Sequence, residues 1–328
     1  MKTSRKLLLA IGGGLLAAQR WSWAQVPGRS YRIGWLSSTA ESFKEPYSLA
    51  FVQRLAELGF AEGRNLTIER RHACGRIENL PAVAVELAKL KSDAYFGGGT
   101  EAGLAALTQA DRETPIVFLA VDFDPVLTGD VASLARPGGR VTGITALQSQ
   151  LPAKRLELLK EMLPGVGKVA VLANEQTTTQ LTVVQGTARR IGLELHLILM
   201  KRPPFDYEAS FADAVRAKAG ALFVLGSALW VPARRLITEL ALKHGLPTVF
   251  HHSQWVEVGG LMSYGFSFPQ MYRRSAEIFA SILRGAKPGD TPMEQPATYE
   301  FAINLKTAKA LGIKLPQSLV VRADRVIE

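Results

Sequence analysis

The feature that most constrains the fold of this chain is an internal repeat. Three short apolar runs in the first half are matched, in the same order, by three runs in the second half, 127 to 136 residues later. The pairs are Arg32–Ser38 with Lys168–Asn174, Asp93–Thr100 with Gly220–Ser227, and Thr114–Phe118 with Leu246–Phe250. Three ordered matches at a nearly constant offset predict two structurally similar halves.

Strands and helices alternate in both halves. Each repeated run is a predicted strand, and a run such as Pro115–Val121, which is apolar throughout, suits a parallel strand covered on both faces. The segments between the runs have helical periodicity. We therefore predict an α/β fold of two doubly wound parallel-sheet lobes, joined by crossover strands, with a ligand-binding cleft between them.

The first predicted helix spans Pro46–Leu58. Its apolar residues Leu49, Val52 and Leu55 are expected to share the face that packs on the sheet. Gly59 follows the helix, which favours a left-handed C-terminal cap at that residue.

The amino terminus has the layout of a secretory signal peptide. Met1–Lys6 carries three cations, Leu7–Ala18 is apolar, and Ser22 and Ala24 supply the small residues that precede a cut. We expect cleavage after Ala24 and a periplasmic, monomeric mature protein. An uncleaved anchor or a disordered tail is the alternative, although the apolar run is too short to span a bilayer. The nearby sequence contains no cysteine for lipid attachment, so a lipoprotein is not expected.

Charge and cysteine content exclude several functional classes. The formal charge of +10 falls to +6 without residues 1–24, and the remaining cations are scattered, which favours anionic solutes or partners over nucleic acid. Cys74 is the only cysteine, so no internal disulfide can form. The sequence contains no spaced Cys/His set for a metal, and no cofactor is expected.

Small and polar residues follow several predicted strands in the first half, where parallel sheets bind ligands. Gly98, Gly99 and Thr100 separate a strand from a helix, and backbone amides there attract carboxylate or phosphate. A tight turn is the alternative, and nucleotide binding is not expected because the lysine of a P-loop and the dinucleotide spacing are missing. Ser37 and Ser38 are expected to contact ligand or to cap the next helix.

Two further pairs of polar residues follow predicted strands. Asp122 and Asp124 suggest acid–base chemistry, but no nucleophile accompanies them, so a contact with a ligand amine or a loop hydrogen bond is favoured. His251 and His252 are adjacent, and neighbours on a strand point to opposite faces. We therefore expect one histidine to face the cleft and the other to pack, which makes them a poor metal site.

Several long stretches together resemble a known family. The chain is similar to periplasmic substrate-binding proteins of ABC importers, in the group that includes tryptophan- and aromatic-amino-acid-binding members. The resemblance covers about residues 30–328. It rests on Phe51–Gly63, Asn65–Glu69, Thr114–Phe118, Val131–Gly143, Lys154–Leu163 and Tyr299–Gly312.

The resemblance implies a type I binding-protein fold that closes on a small ligand, passes it to a membrane ABC permease, and catalyses no reaction. It places the crossovers near Val141–Leu147, Leu261–Tyr264 and Tyr299–Asn304. The first lobe is expected to comprise residues 30–145 and about 265–290, and the second lobe residues 150–262 and about 299–328.

The expected ligand is small and partly apolar and carries a carboxylate, with an amino acid preferred. Asp122 would pair with its amine, and Tyr264 would stack on its apolar group. The expected contacts are Ser37, Ser38, Gly98, Gly99, Thr100 and Asp122 from the first lobe, Asn174, Ser227 and His251 from the second, and Tyr264 from a crossover.

The chain departs from the family pattern in ways that prevent a direct transfer of the ligand. Arg140 replaces the usual Asn of a GGNVTG turn, Cys74 replaces an acidic or other polar residue, and Val121–Pro125 is a variant of the usual strand-end Asp-Pro. Two other functions stay open at this point. One is a sensory module that reports the bound state to a signalling partner, and the other is an enzyme built on the same scaffold.

Overall fold

The computed structural model describes residues 28–38, 40–121, 123–146, 151–201, 204–296 and 298–328. The strands are β1 Tyr31–Ser37, β2 Leu66–His72, β3 Ala94–Gly99, β4 Ile116–Val121, β5 Val141–Ala146, β6 Lys168–Ala173, β7 Glu194–Leu199, β8 Leu222–Val224, β9 Thr248–Phe250, β10 Met262–Phe266, β11 Tyr299–Asn304 and β12 Arg325–Ile327. The helices are α1 Pro46–Glu57, α2 Leu80–Lys89, α3 Glu101–Ala110, α4 Leu151–Met162, α5 Thr178–Arg190, α6 Tyr207–Arg216, α7 Arg234–Lys243, α8 Gln254–Glu257, α9 Phe268–Leu283, α10 Leu305–Ala310 and α11 Gln317–Arg322. The predicted signal peptide, Asp122 and Leu147 lie outside the described residues.

The strands form two separate sheets with the same internal order. One sheet runs β2-β1-β3-β4-β5, and the other contains β7-β6-β8-β9-β10 and continues through β11 and β12. All pairings are parallel except that of β10 with β11. The repeated runs therefore occupy matching places, because β1, β3 and β4 correspond to β6, β8 and β9. This confirms the predicted α/β class; we call each sheet with its packed helices the first and the second lobe.

Each lobe has its own aromatic core. In the first lobe the rings of Phe51 and Phe96 stack with centroids 4.0 Å apart, and Trp35 meets both rings edge-on. In the second lobe Phe250 and Trp255 stack with centroids 4.5 Å apart. All of these rings are buried, so they give each lobe a rigid aromatic core.

The face of α1 that packs inward differs from the prediction. Leu55 is buried as expected, but Leu49 is 50% exposed, and Tyr47 and Phe51 are buried instead. Residues three apart are separated by about 300° on a helix, so the apolar row that starts at the exposed Leu49 rotates as it advances and reaches the buried face only at Leu55. The predicted cap is confirmed, since Gly59 has a φ of 97°.

The chain passes between the lobes after β5, after β10 and before β11. Helix α9 follows β10 of the second lobe but packs on α1, so it belongs to the first lobe. We propose that the lobe boundaries follow the division that the sequence indicates. Within the described ranges, no helix combines the length and the apolar character that a membrane span requires.

Candidate functional site

A cavity of about 110 Å³ lies between the lobes, at the carboxyl ends of the central strands. Parallel strands bring the loops after them to one edge of a sheet, and here the two edges face each other. The lining residues are Ser37, Ser38, Ser42, Tyr47, Gly98, Gly99, Thr100, Leu119, Val121, Gln176, Gly226, Ser227, Val231, His251, His252, Phe268 and Tyr272.

Most residues that the sequence singled out lie on this cavity. The residues that line it as expected are Ser37, Ser38, Gly98, Gly99, Thr100, Ser227 and His251. Asn174 and Tyr264 are not part of the lining, and Asp122 lies outside the described residues. The structure therefore brings together residues far apart in sequence, from both lobes, around one small space.

Asn174 lies behind the cavity wall. Its Nδ2 donates a hydrogen bond of 2.9 Å to Ser227 Oγ, and its side chain and backbone form a reciprocal cap with Thr177 at the start of a short 3-10 helix. Asn174 is buried. Its position indicates that it orients Ser227 and does not face the cavity itself.

Tyr264 lies away from the cavity. Its ring stacks on that of Tyr299 at a centroid distance of 5.8 Å, because β10 and β11 are paired and place these rings side by side. The Tyr264 carbonyl accepts a hydrogen bond of 2.6 Å from Arg155 Nε. The expected stacking on a ligand is therefore not available to Tyr264 in this arrangement.

The glycine run of the first lobe serves both packing and the cavity. A Cβ on Gly97 would lie 2.8 Å from the Phe118 ring, so that glycine is required for packing beneath the cavity. Gly98 and Gly99 line the cavity, and Gly99 has a φ of 129° that favours glycine. Because α3 begins at Glu101, the amides of Glu101 and Ala102 have no partner within the helix, whereas the Gly103 amide donates to the Thr100 carbonyl at 3.0 Å. The run is thus placed to receive a hydrogen-bond acceptor.

Aromatic residues that the sequence analysis missed form much of the first-lobe wall. The Tyr47 ring lies 4.8 Å from that of Tyr272 and 5.6 Å from that of Phe268. Burial, followed by the proximity of Tyr272 and Glu45, raises the pKa of Tyr47, so its hydroxyl stays protonated at neutral pH. Phe268 and Tyr272 belong to α9, which returns from the second lobe, and no local pattern links α9 to Tyr47.

The histidine pair differs from the prediction. We expected His251 and His252 to point to opposite faces of a strand, but β9 ends at Phe250, and both residues line the cavity. The two rings are perpendicular, with centroids 4.5 Å apart. The strand alternation on which the prediction depended does not apply beyond the end of the strand.

Both imidazoles are neutral near pH 7. Burial, followed by the charges of Arg234 and Arg155, lowers the pKa of His252 to about 3. Burial and the neighbouring His252 lower the pKa of His251 well below its usual value. The indole Nε1 of Trp255 donates to His252 Nε2 at 3.1 Å, which assigns the ring proton of neutral His252 to Nδ1.

The second-lobe wall is held by hydrogen bonds of its own. The side chain of Gln180 donates to the Gly226 carbonyl and accepts from the Gly226 amide, each at 2.9 Å. Ser227 Oγ accepts from the Leu229 amide at 3.2 Å, and Trp230 Nε1 donates to the Leu225 carbonyl at 2.9 Å. The turn that follows β8 is therefore fixed before any ligand arrives.

The wall has no charged side chain among the described residues that line it. It offers hydroxyls, amides, neutral imidazoles and aromatic faces. The described residues also contain no group of three or more potential metal ligands of the His, Cys, Asp or Glu type. Such a wall suits the reversible binding of a small molecule that has both an aromatic group and hydrogen-bonding groups.

Two of the departures from the family pattern lie outside the lining. Arg140 donates hydrogen bonds to the carbonyls of Thr108, Asp111 and Thr114, so it caps the carboxyl end of α3. Cys74 is exposed, with its sulfur 3.6 Å from His72 Nδ1. Arg140 therefore has a structural role that is independent of the ligand.

A family model described as ABC transporter substrate binding protein matches residues 48–327. Proteins of this family bind solutes and are not enzymes, which confirms the prediction that the chain catalyses no reaction.

Individual relatives agree with this match. A tyrosine-binding protein of Clostridioides difficile is 26% identical over 265 residues, which cover 80% of this chain and 76% of the relative. A crystal structure of a conserved domain protein from Vibrio cholerae has a TM-score of 0.80 at 24% identity, with 91% of this chain and 100% of that chain covered. A Streptococcus pneumonia ABC domain in complex with L-Trp has a TM-score of 0.77 at 23% identity, with the same coverage. These two structures support the fold.

Proposed function

Because the chain belongs to the family of ABC transporter substrate binding proteins, we propose that it is the extracytoplasmic solute-binding component of an ABC importer. In this proposal residues 1–24 are a signal peptide removed on export, and the mature protein is a periplasmic monomer that delivers its ligand to a membrane permease. The ligand binds in the cavity between the lobes. Binding favours the closed arrangement because the ligand contacts both walls only when the lobes are together.

The proposed ligand is an aromatic amino acid or a closely related aromatic carboxylate. The observation that carries this choice is the composition of the cavity wall, where the rings of Tyr47, Phe268 and Tyr272 lie beside the glycine run at the start of α3. The rings suit an aromatic side group, and the amides with the Thr100 hydroxyl suit a carboxylate. The tyrosine-binding relative and the L-Trp complex support the same ligand class.

Isothermal titration calorimetry with a matched set of ligands tests this proposal. The set comprises L-tyrosine, L-tryptophan, the tyrosine analogue without an amine, the analogue without a carboxylate, and glucose. We expect the amino acids to bind best and the analogue without a carboxylate to bind much more weakly. If glucose bound more tightly than every aromatic ligand, the proposed ligand class would be wrong.

Asp122 is the proposed partner of the ligand amine, on the basis of its position directly after β4. Replacing it with alanine is expected to weaken amino-acid binding by about 1–3 kcal/mol, because a charge-assisted hydrogen bond is lost. The analogue without an amine should bind wild type and variant equally. Asp124→Ala is the matched control, since the Asp124 carboxylate accepts from the Val126 amide at 2.9 Å within its own loop. Unchanged amino-acid affinity in Asp122→Ala would remove Asp122 from the site.

A further inference from the structure

One ion pair joins the two lobes beside the cavity. Glu45 lies just before α1 in the first lobe, and Arg234 is the first residue of α7 in the second. Their Oε2 and NH1 atoms are 2.6 Å apart. The two side chains are only 8% and 17% exposed. Among the ion pairs of the described residues, the others connect groups within one lobe or its own connections.

The pair lies next to the wall but is not part of it. Glu45 is two residues before Tyr47, and Arg234 is three residues after Val231, and both of those neighbours line the cavity. The Tyr47 ring lies 6.4 Å from the ring of His252, so contacts between the lobes continue from the pair towards the cavity. Glu45 and Arg234 therefore join the lobes next to the space that the ligand is proposed to occupy.

Glu45 and Arg234 need each other as partners only when the lobes are together. In an opened molecule each side chain can be hydrated, whereas in the closed molecule each is largely removed from water and has the other as its partner. A charge buried without its partner is strongly unfavourable. Removing one member should therefore penalise the closed arrangement and leave the open one almost unchanged.

We propose that Glu45 and Arg234 are positioning residues that hold the cavity closed and thereby determine how long a ligand stays bound, without contacting the ligand. The inference rests on the proposed function, because it assumes that the ligand binds between the lobes. A protein whose closed state is less populated binds its ligand more weakly in proportion to that population. The loss should appear in dissociation, since the open arrangement that first meets the ligand is unchanged.

A double-mutant cycle tests the pair. Glu45→Gln and Arg234→Gln should each raise the dissociation rate constant of L-tyrosine or L-tryptophan by about tenfold or more, with the association rate constant within about twofold of wild type. The double variant should dissociate more slowly than the product of the two single effects indicates, because it leaves no unpaired charge. Stopped-flow fluorescence or surface plasmon resonance measures both rate constants.

Glu161→Gln is the matched control. Glu161 pairs with Arg322 at 2.7 Å within the second lobe, so its loss should leave both rate constants unchanged. Thermal unfolding of every variant checks that each one folds. Single variants with wild-type dissociation, or single effects that multiply without coupling, would overturn the proposal.

A measurement without ligand separates this inference from the proposed function. Spin labels on the exposed Cys74 of the first lobe and on Arg189→Cys, an exposed site on α5 of the second, report the distance between the lobes. In the labelled protein Glu45→Gln should shift the distance distribution to longer values, and Glu161→Gln should not. If no aromatic ligand binds but this shift occurs, the proposed function fails and the pair keeps its role. An unchanged distribution in Glu45→Gln would overturn the role of the pair whatever the ligand.

Discussion

The two lobes place their walls on matching strands but form them from differently bonded side chains. After β1 and β3, the first lobe presents the side chains of Ser37, Ser38 and Thr100, which have no hydrogen bond to another described residue. After the matching β8, the second lobe presents Ser227, whose hydroxyl accepts a hydrogen bond of 2.9 Å from Asn174 behind the wall. The repeated fold therefore sets where the wall residues lie, and the side chains decide whether they are already committed to partners.

This difference indicates separate roles for the two walls. Side chains that are already hydrogen-bonded lose little conformational entropy when a ligand binds, so the second lobe can act as a preorganised surface. Hydroxyls without protein partners can exchange water for ligand, so the first lobe can supply more of the polar contacts. The predictions below test this division, from the largest expected effect to the smallest.

The largest losses of stability are expected for two glycines in β5 and β10, the strands that hold the same place in the two sheets. A Cβ on Gly143 of β5 would overlap the Phe118 carbonyl oxygen, and one on Gly265 of the equivalent strand β10 would overlap that of His251. Either alanine variant should lower the free energy of unfolding by about 3 kcal/mol, because backbone must move to admit the methyl group. Urea unfolding measures this loss.

Ligand affinity distinguishes these two glycines. Gly265→Ala should also weaken ligand binding, since it displaces His251 of the cavity wall, whereas Gly143→Ala should leave the affinity of the folded fraction close to wild type. Gly167→Ala is the control, because a Cβ there has no atom within 4 Å. Equal affinity losses in the two variants would argue against a specific role for the His251 wall.

The next largest loss of stability is expected when the second-lobe clamp is broken. This clamp consists of the two hydrogen bonds between the Gln180 side chain and the Gly226 backbone. In Gln180→Leu the amide and the carbonyl of the half-buried Gly226 lose the partners described above, and the loss of two hydrogen bonds costs about 1–3 kcal/mol. The exposed Gln185 of the same helix supplies the control variant Gln185→Leu. Urea unfolding and calorimetry should show lower stability and weaker binding in Gln180→Leu alone. Wild-type stability in this variant would show that the wall is not held by the clamp.

The sequence predicts the backbone of the site better than its side chains. Strands β1, β3 and β4 and their partners in the second lobe could be predicted because buried parallel strands are continuous apolar runs, and their ends locate Gly98 and Ser227. Where a strand ends is a tertiary property, so the prediction that His251 and His252 diverge is wrong. The prediction that Tyr264 contacts the ligand depends on the crossover that the family resemblance implies, whereas the Tyr264 ring packs on Tyr299.

The aromatic wall could not be predicted from local pattern. The leucine row that starts at Leu49 predicts an inward face of α1 that does not include Tyr47. Tyr47 and Phe51, one turn apart, mark the side that is buried. Phe268 and Tyr272 reach the first lobe only because α9 crosses back from the second. Periodicity does not encode that crossing, and only the tertiary fold shows which helix meets which sheet.

Acid should destabilise the two lobes in different pH ranges. The lowered pKa values of His251 and His252 mean that protons bind preferentially to the unfolded chain below about pH 6.5. Stability should therefore fall by about 2 kcal/mol between pH 6.5 and pH 5.5, about half from each imidazole. His252→Gln should reduce this loss by about half, as measured by urea unfolding at each pH. An equal loss in the variant would show that His252 is protonated in the folded protein.

The first lobe has an acidic counterpart that titrates lower. Burial alone would raise the pKa of Asp111, but hydrogen bonds from the Thr114 hydroxyl and from the amides of Glu113 and Thr114 lower it. A carboxyl whose folded pKa is lowered stabilises the protein above its unfolded pKa, so this contribution disappears only below about pH 4. Asp111→Asn should therefore leave the pH dependence between 5.5 and 6.5 unchanged.

The smallest effects compare one serine from each wall directly. In Ser38→Ala a hydroxyl on the cavity is lost, and we expect ligand affinity to fall by about 1 kcal/mol with little change in stability. In Ser227→Ala the Nδ2 group of buried Asn174 loses its acceptor, so stability should fall by about 1 kcal/mol or more. Affinity should then change less than in Ser38→Ala, because the Ser227 oxygen already has protein partners. Calorimetry and urea unfolding on both variants give the four values, and the opposite pattern would mean that the second lobe, and not the first, supplies the adaptable polar contacts.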